Sequence, residues 1–77
     1  MHIERLIQMA NDIGDYFAAE PDRNEAITGI HNHIRRFWDP RMRRQIIEYL
    51  QQDGSELNEM VREAVRKLEP VPNRTSA

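Results

Sequence analysis

The sequence predicts an all-α fold: a small compact bundle of about four short amphipathic helices with a disordered C-terminal tail. Three observations carry this. Apolar residues recur at intervals of three and four through most of the chain. Proline or glycine, beside a residue suited to a helix end, interrupts that pattern at three places. No stretch alternates apolar and polar residues in the manner of a strand.

The first helix is marked by Ile3, Leu6, Ile7, Ala10, Ile13 and Phe17, which form one stripe with Gly14 inside its arc. Glycine in a helix interior costs about 1 kcal/mol relative to alanine, so its place on the buried side predicts a close helix crossing there. Pro21 ends the segment, since proline restricts the residue before it and cannot extend a helix.

Asp22 with Glu25 three residues later reads as a capping box, with Asp in place of the usual Ser or Thr. The second helix then runs from Arg23 to about Trp38, with Ala26, Ile27, Ile30, Ile34, Phe37 and Trp38 on one arc. Asp39-Pro40 reads as an N-cap followed by proline in the first turn. The third helix carries Met42, Ile46, Tyr49 and Leu50 on one face, widened by Ile47. Gly54 is its stop, and Ser55 is expected to cap a fourth helix bearing Leu57, Met60, Val61, Ala64, Val65 and Leu68. Residues 70–77, with two prolines and no periodicity, read as the disordered tail. The expected organisation is a single helical domain over 1–69 and a tail over 70–77.

A chain of 77 residues buries only about 60–65% of its unfolded surface, so its core is small. It contains no cysteine, hence no disulfide and no thiolate metal site. That suits a reducing compartment and argues against a small secreted scaffold. Its uninterrupted apolar stretches, such as Leu6-Ile7 and Ile46-Ile47, are far shorter than a membrane span. A cytoplasmic location without membrane contact is the expectation.

Net charge is −2, but its distribution is uneven. Residues 1–30 carry six acids and two bases, and residues 48–77 carry six and four. Between them lie Arg35, Arg36, Arg41, Arg43 and Arg44 against the single acid Asp39. Such a block is a solvated face or the mark of an acidic or phosphate-bearing partner.

Catalytic patterns are missing. Gly14, Gly29 and Gly54 are too far apart for a phosphate loop, and no His-Glu-x-x-His sequence occurs. His31 and His33, two apart on a helix, point about 200° away from each other and cannot share a metal without unwinding it. Asp12 with Asp15, and Glu59 with Glu63, lie on polar helix faces as solubilising acids. Met9, Met42 and Met60 read as gap-fillers. We expect no catalytic residue, no cofactor and no metal.

The most informative stretch runs from His33 to Arg44 and sets the only tryptophan beside phenylalanine within the arginine cluster. Phe37 and Trp38 either close the core or contribute to an interface, where Trp and Arg commonly dominate binding energy. The candidate partner-binding residues are Arg35, Arg36, Phe37, Trp38, Arg41, Met42 and Arg43.

Three runs carry a family resemblance: Met9 to Phe17 (MANDIGDYF), Pro21-Asp22-Arg23 with Glu25-Ala26, and His33 to Arg43 (HIRRFWDPRMR). Together they resemble the delta subunit of soluble NAD-dependent formate dehydrogenases over roughly residues 3–69, with Tyr16 where a Phe is expected. The resemblance implies a non-catalytic accessory subunit. Its partner would be the large catalytic subunit, which holds a molybdenum or tungsten pterin cofactor and iron–sulfur clusters. Other subunits carry electrons through flavin and further clusters to NAD. The implied role is assembly or stability of the active complex, and no cofactor site is implied on this chain. The alternative is a helical nucleic-acid-binding module using the arginines at 35–44 in imitation of a helix-turn-helix. The acidic segments on either side argue against it.

Overall fold

The structure, a computed structural model, describes residues 2–68. The tail expected at 70–77 lies outside them. Four helices follow in order: α1 (Ile3–Phe17), α2 (Arg23–Phe37), α3 (Pro40–Gln52) and α4 (Glu59–Arg66). α2 packs against α1 and α4, α3 packs against α1 and α4, and α1 also touches α4. The apolar stripes converge on one core, in which Leu6, Ile30, Ile34, Ile46, Val61 and Val65 are fully enclosed.

Side chains at the helix ends account for two of the boundaries. Asp22 Oδ1 accepts from the backbone N–H of Asn24 at 2.9 Å and of Glu25 at 3.3 Å, satisfying donors that the first turn leaves free. The reciprocal half of the expected capping box is not made. Glu20, rather than Glu25, accepts from the Asp22 N–H, at 3.3 Å. At α3, Asp39 Oδ1 accepts from Met42 N–H at 2.9 Å with Pro40 in the first turn, as the sequence indicated.

Gly54 ends α3 with φ of +73°, a left-handed conformation that costs other L-residues about 1–2 kcal/mol. The chain does not enter α4 at once, and Ser55 is not its cap. Residues 54–57 form a further turn closed by Leu57 N–H on the Gly54 carbonyl at 3.2 Å. Ser55 Oγ instead donates to Asp53 at 2.8 Å, and α4 begins after Asn58. Leu57 is buried as expected, but in the turn and not on the helix.

Two asparagines hold this turn on α1. Asn11 Nδ2 donates to the Glu56 carbonyl at 2.8 Å, and its Oδ1 accepts from Asn58 N–H at 2.9 Å. Asn58 Nδ2 donates to Asp15 Oδ1 at 3.3 Å. Directly beneath lies the predicted crossing at Gly14. A Cβ added there would stand 2.5 Å from Val61 Cγ2, so the approach of α4 to α1 depends on the missing side chain.

Candidate functional site

Seven residues were expected to meet a partner, and the structure divides them. Trp38 is the C-cap of α2 with extended φ and ψ of −88° and 136°. Leaving the helix turns its ring into the core, where it is 4% exposed. Phe37, the last helical residue, is 71% exposed. The arc that grouped both rings with the core therefore holds for Trp38 and fails for Phe37. His33, one turn earlier, lies against the Phe37 ring at 4.8 Å between centroids.

The arginines divide in the same way. Arg35, Arg36, Arg41 and Arg44 are exposed, while Arg43 is half-buried. Arg43 Nη1 donates to the Trp38 carbonyl at 2.6 Å and to the Arg35 carbonyl at 3.3 Å. These are carbonyls at the end of α2, which lack helical partners and attract a cation. Arg43 thus fastens α3 to the end of α2. Met42 is half-buried and packs on the core, as do Met9 and Met60. Arg35, Arg36, Phe37 and Arg41 remain open to a partner, with Arg44 beside them.

Among the described residues, the ion pairs are Arg23–Glu59 at 3.0 Å and Arg66–Glu63 at 2.7 Å. Neither involves the basic corner. Asp39, the nearest acid in sequence, is occupied as the α3 cap. The exposed guanidinium groups keep their capacity for bidentate pairing with carboxylates, and the exposed Phe37 ring at the same helix junction can be desolvated on contact. Asp39, Pro40, Arg41 and Arg44 line a shallow surface cleft at this corner.

Three of the four candidate acids have structural partners. Asp15 accepts from Asn58, Glu59 pairs with Arg23, and Glu63 pairs with Arg66. Among the described residues no group of three His, Asp or Glu side chains is placed to hold a metal ion. No described helix is long and apolar enough to cross a membrane.

One exposed aromatic was not among the expected site residues. Tyr16 is 77% exposed and meets Phe17 edge-on at 5.0 Å. Its position off the apolar stripe of α1 was the available signal.

These features define a class: a small all-α protein whose unengaged chemistry is a basic and aromatic corner on its surface. The chain belongs to the FdsD family, the delta subunit of NADH-dependent formate dehydrogenase, whose family model matches residues 5–65. That match reaches from the first turn of α1 into the last turn of α4. Comparisons with curated proteins and with solved structures give no significant match.

Proposed function

We propose that this delta subunit is a non-catalytic, cytoplasmic accessory subunit that binds the large catalytic subunit and supports assembly or stability of the active complex. The observation that carries the docking site is the exposed Phe37 at the α2–α3 junction, where the exposed Arg35, Arg36 and Arg41 have no carboxylate partner among the described residues. A complementary surface would present carboxylates around an apolar recess. Opposite charge steers the encounter, and the ring supplies desolvated contact.

The test is retention of the large subunit by the triple variant Arg35→Ser, Arg36→Ser, Arg41→Ser. Arg43 stays unchanged because it holds the chain's own backbone. The variant should fold normally and lose binding. Truncating one buried charge pair at an interface costs about 2–5 kcal/mol, and rim charges cost less. Unchanged retention by a folded triple variant would remove this corner as the docking site. Duplex DNA titrated in parallel at two salt concentrations addresses the nucleic-acid alternative, whose affinity would fall steeply with salt.

A further inference from the structure

The docking reading uses one corner of the molecule, but the aromatic surface continues beyond it. Phe17 lies on Gly29, and a Cβ built on Gly29 would come within 2.6 Å of the ring's Cδ1. The bare glycine thus lets the end of α1 settle onto α2. Four-residue steps from this contact follow one edge of each helix, because such residues are surface neighbours. Along α2 they reach His33 and Phe37, and along α1 they reach Ile13 and Met9. His33, Ile13 and Met9 are all half-buried, so this edge is only partly covered. Tyr16 stands at one end and Phe37 at the other, the two large hydrophobic side chains that the described structure leaves exposed.

The charges around the edge have opposite signs at its ends. Asp12 and Glu20, four residues either side of Tyr16, are exposed, as is Glu25, four before Gly29. At the Phe37 end the exposed bases Arg35, Arg36 and Arg41, with Arg5 four residues before Met9, outnumber the exposed acids Glu4 and Asp39, the latter engaged as the α3 cap. The eight residue steps from Gly29 to Phe37 rise about 12 Å. With the Tyr16 ring beyond Phe17, the strip is about two to three helical turns long.

We infer that the α1–α2 edge from Tyr16 to Phe37 receives one amphipathic helix of the partner subunit. Its carboxylates would lie over the Phe37 end and its basic residues over the Tyr16 end. This rests on the docking reading above and extends it along the molecule. The length of the strip and its anchor spacing match the groove side of helix recognition, where anchors recur every three or four residues. Opposite charges at the two ends give the helix a direction. Area argues against a second copy as the occupant. Two exposed rings and their half-covered neighbours offer a few hundred Å² at most, whereas a stable interface buries about 1,200–2,000 Å². A helix from a subunit already engaged at the arginine corner needs no such area.

The experiment places the photo-crosslinker p-benzoylphenylalanine at position 16 or 37, singly, in the chain assembled with the whole dehydrogenase. Both exposed sites accept an aromatic substituent, and circular dichroism confirms folding. Both positions should link to one helix of the same partner subunit, at points about 8–11 residues apart. Tyr16→Ser should lower retention by the complex at least tenfold. Links from 37 without links from 16 overturn the extended strip while leaving the corner reading intact. Links to separate or non-helical segments also overturn it. Links between two copies of this chain make the edge a self-association surface. No link from either position in a complex that retains the chain overturns both readings.

Discussion

Replacing Trp38 with alanine should unfold this protein, whereas Phe37→Ala should leave its stability almost unchanged. The two rings are adjacent in sequence, but one is 4% exposed and the other 71%. An aromatic side chain of this size buries about 150–250 Å², and truncating a buried Phe or Trp to alanine costs about 3–5 kcal/mol. A domain of this length holds on the order of 3–5 kcal/mol in total. Trp38→Ala therefore removes most or all of the margin. Phe37→Ala gives up only its contact with His33 and should stay within about 0.5 kcal/mol, as surface substitutions do. Thermal melts followed by circular dichroism resolve the difference, since 1 kcal/mol moves Tm by about 4–8 °C at this size. Trp38→Phe, keeping much of the apolar volume, should melt between parent and Trp38→Ala. Equal losses for Phe37→Ala and Trp38→Ala, or a parental melt for Trp38→Ala, would refute the assignment of the two rings.

Two further outcomes follow from hydrogen bonds. Arg43→Ser removes the donor to the Trp38 and Arg35 carbonyls. It should cost about 1 kcal/mol, the net worth of such bonds at a partly exposed site, while Arg41→Ser moves the urea midpoint within error. Asn11→Ala frees the Glu56 carbonyl and the Asn58 N–H together. It should cost about 1–2 kcal/mol and speed amide exchange in α4 relative to α2; uniform acceleration across all helices would mean the pair has no local role.

Helical periodicity reveals the elements because packing on one core selects the same face over every turn. Asp22, Asp39-Pro40 and Gly54 mark boundaries by chemistry that acts within three residues, and the structure shows each at work. What the periodicity could not reveal lies where the helix stops. Trp38 is buried where the helical arc placed it, although its dihedrals are extended. Phe37 keeps the helical direction but stands on the last turn, with nothing placed over it. Ser55 was a sound cap by residue type. The buried Leu57 instead draws the chain through another turn, and tertiary packing sets the start of α4 at Glu59. For the candidate surface, sequence located the arginine cluster but not its division. Arg43 differs from its neighbours only through carbonyls brought to it by the fold. Asn11 owes its role to residues 45 and 47 positions away.

The bond from Arg43 to the end of α2 bears on the reach of the other arginines. Arg35 and Arg36 ride on α2, while Arg41 and Arg44 ride on α3, so the angle between these helices sets the spacing of the charges. A partner that needs one spacing binds only the fraction of molecules that hold it. Apparent Kd rises as that fraction falls: a corner correctly set half the time binds about twofold more weakly than a fixed one. Arg43→Ser should therefore weaken association without removing a single contact to the partner, and a partner fragment that touches only the α2 side should be indifferent to it.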